Sequence, residues 1–233
     1  MKNPLSFLNS RKIVVEDLSE ESLTQKEGIK TLVFDLGGVY FTSGTHLTLS
    51  KIHEKYQIDD WKSLSTFFGS DPDSEGGKLR LGLISMEEFE TRFFQKFAIE
   101  EENHEIIRLI WFSNYVPYYL MPKILKNLNK RYRLVAFSGN IRERVEFLDL
   151  RYHFLKYFHD SVFSYEYACS KSDLPFYEEL IKHIECKPSE AILIDDDCGA
   201  VRNAKSLGFH TILFSYTEQF LDALKTYGIE LTF

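Results

Sequence analysis

The chain is poor in the residues that staple or anchor a protein. It holds only three cysteines, Cys169, Cys186 and Cys198. Their number is odd and no two are spaced Cys-x-x-Cys, so a disulfide scaffold is not expected and a reducing compartment, the cytoplasm, is favoured. The seven histidines show no zinc-like pairing with them. No apolar run approaches the roughly 20 residues that span a bilayer, so a membrane partner is not expected. The opening stretch MKNPLSFLNSRKIVVEDLSEESL has no long apolar segment and soon turns acidic, unlike a secretory leader. Positive charge is also short: 28 Lys and Arg face 35 Asp and Glu, a net charge of −7. That balance argues against a nucleic-acid partner, whose phosphates need a basic excess. The local run Lys126, Lys130, Arg131, Arg133 reads as a solvated helix end before a strand. A negative protein can still bind a small phosphate if a divalent cation sits between the charges. There is no internal repeat and no low-complexity segment.

What is present is ordinary for a globular chain: 233 residues, 44% apolar and 27% charged, enough for one large domain or a domain with a subdomain. Aromatics reach 15%, with 20 Phe and 13 Tyr, which predicts a well-filled core.

Thr31-Leu32-Val33-Phe34-Asp35-Leu36-Gly37-Gly38-Val39 carries the most information. An apolar run stops at one carboxylate and two glycines follow. The run predicts a buried strand over about 30–35, and the glycines a tight turn that brings backbone close to a ligand. Residues 1–29 form a polar lead-in with one apolar patch, Ile13-Val14-Val15. From about 44 to 120 the pattern is helical. Ser85 and Glu88 form a capping box before a helix carrying Phe89, Phe93, Phe94 and Phe97, a second helix spans about 104–111, and Gly69 to Gly77 reads as a loop.

After 120 the types alternate. Helices are expected near 123–130, 141–150, 175–184, 200–207 and 218–227, with Gly208 as a C-terminal stop. Strands are expected at 134–138, 161–165, 191–195 and 211–214. This predicts an α/β protein with a Rossmann-like parallel core, residues 30–43 and 121–233, and an inserted α-helical cap, residues 44–120, at its active edge. Residues 1–29 are read as an extension.

A parallel sheet sets strand ends side by side along one edge. Strand one ends at Asp35, the next at Ser138 with Gly139 and Asn140 beyond, and the fourth at Asp195-Asp196-Asp197. Lys171 lies between them in sequence. Singly each has a bland reading: Asp35 a loop cap, Ser138 a local turn, Lys171 a surface lysine, the triplet a helix N-terminus. Jointly, at strand ends, they point to a site. Three successive carboxylates repel unless a cation sits among them, and a hard divalent ion such as Mg²⁺ fits oxygen ligands best.

These residues resemble the haloacid dehalogenase-like hydrolase superfamily, in its helical-cap phosphatase subgroup. Motif one looks like Phe34-Asp35-Leu36-Gly37-Gly38-Val39, motif two like Phe137-Ser138, and motif three like Lys171 with Tyr177 six residues on. Motif four looks like Asp195-Asp196, followed by Val201 and Ala204. Arg80-Leu-Gly-Leu-Ile-Ser85-Met-Glu-Glu88-Phe89 resembles that subgroup's cap. The resemblance implies a phosphatase of a small phosphorylated metabolite, a sugar phosphate or nucleotide, acting as a monomer or homodimer. Asp35 would be the nucleophile that becomes an aspartyl-phosphate. Mg²⁺ would be held by Asp35, the Gly37 carbonyl and Asp196, with Asp195 assisting. Ser138, Gly139, Asn140 and Lys171 would bind the phosphoryl group, and Arg80 the leaving group.

The chain departs from the pattern at four places. Gly37 stands where the family's phosphatases usually carry a second Asp as general acid and base. Gly139 intervenes in motif two, and Ser172 and Leu174 replace prolines after Lys171. Two other readings follow: a non-catalytic module that binds a phosphorylated ligand or a protein, and a dehalogenase-type hydrolase that needs no acid at position 37.

Overall fold

A computed structural model describes residues 28–100 and 104–231. The apolar patch at 13–15 and all but the last two residues of the expected extension lie outside the described residues.

Five short strands build the core: β1 (Thr31–Phe34), β2 (Arg133–Ser138), β3 (Asp160–Phe163), β4 (Ala191–Asp195) and β5 (His210–Leu213). All neighbours pair parallel, in the order β3-β2-β1-β4-β5. β1 is central, and the chain runs outward from it first to β2 and β3, then to β4 and β5. The order therefore reverses beside β1, and the crevice at the strand C-terminal ends there is where open α/β sheets bind ligands.

The strands are apolar on both faces, as a sheet covered on both sides requires. Val33, Val135, Phe137, Val162 and Leu193 pack with Phe176, Tyr177 and Leu180 of helix α9 (Leu174–His183) and Ala204 of α10 (Cys198–Ser206). Leu32, Phe34, Leu134, Ala136, Ile192 and Ile194 face the other way. There they join residues of α6 (Met121–Leu128), α7 (Arg142–Tyr152) and α11 (Thr217–Lys225). α8 (Ser164–Tyr167) is a single turn that follows β3 directly. Gly208 lies just past α10 with φ +89°, a left-handed stop as expected.

Six helices lie between β1 and β2: α6 leads into β2, and before it come the five of the insertion, α1 (Thr45–Tyr56), α2 (Trp61–Phe68), α3 (Glu75–Arg80), α4 (Met86–Phe97) and α5 (Ile106–Phe112). The capping box forms as expected: Ser85 Oγ accepts the Glu88 amide and Glu88 accepts the Ser85 amide. The aromatics are core. Phe67, Phe68, Phe89, Phe93 and Trp111 meet at ring separations of 4.8–5.8 Å. Both attachments of this helical insertion run side by side: Thr42 N donates to Val116 O at 2.9 Å, and Tyr118 N to Tyr40 O at 2.9 Å.

One local expectation is overturned. Residues 75–77 are not loop but the first turn of α3, with Ser74 as N-cap accepting the Gly77 amide. Gly76 and Gly77 suggest a turn from sequence, yet here they serve close packing. A Cβ at Gly76 would strike the Phe68 and Gly69 carbonyls, and one at Gly77 the backbone of Asp71.

Candidate active site

Asp35 follows β1 at the reversal of strand order. Its backbone amide donates to Ile194 O at 2.9 Å, so the β1–β4 ladder continues through it. Its Oδ1 accepts the Leu36 amide at 2.6 Å and lies 2.9 Å from Lys171 Nζ. Both contacts fall on Oδ1, which leaves Oδ2 outside this network.

The next residues form a tight turn in which the amides of Tyr40 and Phe41 both donate to Leu36 O. Gly38 has φ +86°, and any Cβ there would collide with the Asp196 carboxylate. The close approach demands glycine at 38 and sets the Gly37–Gly38 peptide beside Asp196. Position 37 is different. A Cβ there would meet nothing nearer than the Tyr115 ring edge at 3.9 Å.

Lys171 bridges two carboxylates, with Nζ 2.6 Å from Asp195 Oδ2 and 2.9 Å from Asp35 Oδ1. Its carbonyl accepts the Tyr177 hydroxyl and the Asn203 amide, each at 3.0 Å. Tyr177 thus pins the lysine loop to α9. Burial alone would lower the Lys171 ammonium pKa, but Asp195 and Asp35 outweigh it and hold the proton more tightly than usual.

The acidic triplet divides its labour. Asp195 is 1% exposed, and its Oδ1 accepts the Asp197 amide at 2.9 Å. Burial pushes its carboxyl up to about 6. Asp196 is raised too, first by burial and then by Asp195. Asp197 is the N-cap of α10, accepting the Ala200 amide at 2.8 Å. The helix-terminus reading is therefore right for the third acid of the triplet.

Oxygen atoms of Asp35, Asp195 and Asp196 all lie within 4.8 Å of one another. Three carboxylates at this spacing face one ammonium, so an all-oxygen donor set of excess negative charge remains. That chemistry fits a hard divalent ion such as Mg²⁺. Asp195 already commits both oxygens to protein donors, which favours Asp35 and Asp196 as direct ligands.

Ser138 ends β2, 2% exposed, and Gly139 has open space where a Cβ would be. Both line the crevice with Asp35. Asn140 lines it as well, but its Oδ1 is committed to the Ile141 amide (2.9 Å) and Arg144 Nε (2.7 Å). It sits two residues before α7 and its Oδ1 holds Arg144 in place. Arg80 lines the crevice too. Its Nη1 donates to three carbonyls, Phe68 (3.2 Å), Gly69 (2.8 Å) and Gly76 (2.8 Å), so it also ties α2 to α3.

Sequence reasoning missed Arg144, Tyr115 and Thr45. Arg144 is 4% exposed and donates to Tyr115 Oη at 3.0 Å, while Tyr115 and Thr45 hydroxyls are 2.8 Å apart. Burial would raise the Tyr115 phenol, but Arg144, Arg80 and the Thr45 hydrogen bond overcome it and the net shift is downward. The one available signal was an arginine two residues into a helix that starts just after Ser138-Gly139-Asn140.

The chain has the fold of the haloacid dehalogenase-like hydrolases. A protein of Porphyromonas gingivalis described as a predicted HAD-like family hydrolase superposes with a TM-score of 0.72 at 22% identity, covering 87% of this chain and 99% of that one. A HAD family enzyme of Bacteroides thetaiotaomicron, in complex with magnesium and inorganic phosphate, superposes with a TM-score of 0.68 at 22% identity, over 79% of this chain and 93% of that one. By sequence, an uncharacterized protein of Dictyostelium discoideum is 29% identical over 173 residues, 69% of each chain. No family model matches the chain.

Proposed function

We propose that this chain is a Mg²⁺-dependent phosphatase of a small phosphorylated metabolite, acting through an aspartyl-phosphate on Asp35. The observation that carries the reading is Lys171 bridging Asp35 and Asp195 at 2.9 and 2.6 Å within a three-carboxylate cluster. Asp35 Oδ2 attacks phosphorus as the P–O ester bond breaks and the leaving oxygen takes a proton from solvent; water then attacks phosphorus, the bond to Asp35 breaks, and phosphate and the free carboxylate are released. Lys171 offsets charge on the transferring group and fixes the Asp35 rotamer. Ser138 Oγ and the open backbone at Gly139 face a phosphoryl oxygen. Asp35, Asp196 and the Gly37 carbonyl would hold the Mg²⁺, with Asp195 behind them. The ion supplies charge neutralisation between two anions. Residues 44–120 act as the cap over the core of 30–43 and 121–233, and the three free cysteines suit a cytoplasmic setting.

The relative in complex with magnesium and inorganic phosphate supports this chemistry by analogy of fold. A non-catalytic binding module is the second reading, favoured by Gly37, which offers no acid to the leaving group. One assay separates the two. Phosphate release from p-nitrophenyl phosphate should require Mg²⁺, cease with chelator and fall at least a hundredfold in Asp35→Asn. Metal-independent release, or equal rates in the variant, would overturn the phosphatase.

A further inference from the structure

The crevice over Asp35 has two sides. One holds Lys171, Asp195 and Asp197. The other, a cavity of about 250 Å³, is lined by Arg144, Arg80, Tyr115, Thr45 and Ser43. Asp35, Arg80 and Gly139 border both. The carboxylates gather on the lysine side. The second side carries two guanidiniums.

Those guanidiniums are not balanced by protein. Neither makes an ion pair among the described residues. Arg144 spends Nε on Asn140 and Nη1 on Tyr115, both neutral acceptors. Arg80 spends Nη1 on three carbonyls, which leaves Nη2 and Nε outside that network. The Trp111 ring lies 5.3 Å from the Arg80 guanidinium and 5.5 Å from that of Arg144, and Tyr115 lies 4.5 Å from the latter. Aromatic faces offset a buried cation only in part. Asp35 is the one carboxylate that acts on Arg144 through space, and it already pairs with Lys171. Burial and the neighbouring Arg144 charge push Arg80 down to about 10, still protonated at neutral pH. Arg144 is buried and Arg80 half-buried, and like charges so placed without counter-ions are costly unless an anion joins them.

We propose that the substrate carries a second anionic group on its leaving-group side, a carboxylate or another phosphoryl group, held between Arg144 and Arg80 with Tyr115 and Thr45 at its edge. Planar guanidinium forks suit either anion. This rests on the phosphatase reading for the position of the first anion at Asp35, and it names the class of metabolite.

The test is a titration, independent of turnover. Three phosphonates are titrated calorimetrically into the full chain with Mg²⁺: propylphosphonate, 3-phosphonopropionate and propane-1,3-bisphosphonate. At least one doubly anionic ligand should bind tenfold or more tighter than propylphosphonate, and which one does so identifies the group. Arg144→Met should cut that preference at least tenfold, and Arg144→Lys should keep part of it. Equal affinity for all three ligands in the wild-type chain would overturn the inference. So would a loss in Arg144→Met that is equal for propylphosphonate and for the ligands with two anionic groups, since that would assign the guanidiniums to the first phosphoryl group. Preference for a doubly anionic ligand without phosphate release in the colorimetric assay would leave the recognition standing and remove the catalysis.

Discussion

Adjacent glycines at 37 and 38 do opposite things. Gly38 is compelled by its positive φ and by the Asp196 carboxylate pressed against its Cα, so Gly38→Ala should abolish metal-dependent activity. Gly37 is compelled by neither: it has no positive φ, and its nearest neighbour beyond the chain is the Tyr115 ring edge at 3.9 Å. An aspartate can be placed there with no backbone movement, where it would serve as acid and then base. General acid–base catalysis is worth about 10²–10⁴-fold. Gly37→Asp is therefore expected to raise the Mg²⁺-dependent turnover of p-nitrophenyl phosphate tenfold or more. A folded variant with no gain would mean that neither the transfer nor the hydrolysis step waits on an acid or base at position 37.

Between elements, two charged contacts hold helices in place. Glu90 on α4 is 1% exposed, and it receives Arg108 of α5 through Nε at 2.9 Å and Nη2 at 2.6 Å. Removing one partner of a buried pair leaves an uncompensated charge. Arg108→Met should cost roughly 3 kcal/mol in urea unfolding, and adding Glu90→Leu should recover most of it. On the core, Asp160 of β3 accepts His183 of α9 at 2.9 Å and Arg133 of β2 at 3.3 Å. Burial would raise the Asp160 carboxyl, but the His183 and Ser161 hydrogen bonds prevail and hold it below its usual 3.8. A lowered native value means that the charged form is the one the fold prefers. The stability it lends is present above pH 3.8 and lost as the pH falls through the native value. Asp160→Asn should therefore destabilise at neutral pH, by on the order of 0.5–1 kcal/mol at this part-exposed site, and the difference from wild type should shrink as the pH falls through the native value.

At the scale of the molecule, the parallel core was legible because its strands are apolar on both faces and its helices begin and end on readable residues. Val33 and Phe34, Leu134 to Phe137 and Ile192 to Ile194 announce buried strands, and Ser85 with Glu88 announces α4. Where the reading failed, tertiary contact had overruled local habit. Gly76 and Gly77 look like a turn, but they are helical because the Phe68–Asp71 backbone lies against them. The same holds at the candidate site. Asp35, Ser138 and Asp195 could be found because strand ends advertise them, and Lys171 because its spacing from Tyr177 matches a known motif. Arg144, Tyr115 and Thr45 come from two helices and a linker, and only folding makes them neighbours.

The paired linkers have one more consequence. Thr42 and Val116 meet through two hydrogen bonds, Thr42 N to Val116 O at 2.9 Å and Val116 N to Thr42 Oγ1 at 3.3 Å, although 73 residues separate them, and the helical insertion begins and ends there. A short turn could join them without moving β1 or β2. That excision would remove Thr45, Arg80 and Tyr115 from the crevice, together with Gly77 and Leu81 of its lysine side, and leave Asp35, Lys171, Asp195, Asp196 and Arg144 in place. A chain closed from Thr42 to Val116 should therefore keep the Asp35–Lys171–Asp195 cluster while losing the lining that residues 43–115 supply.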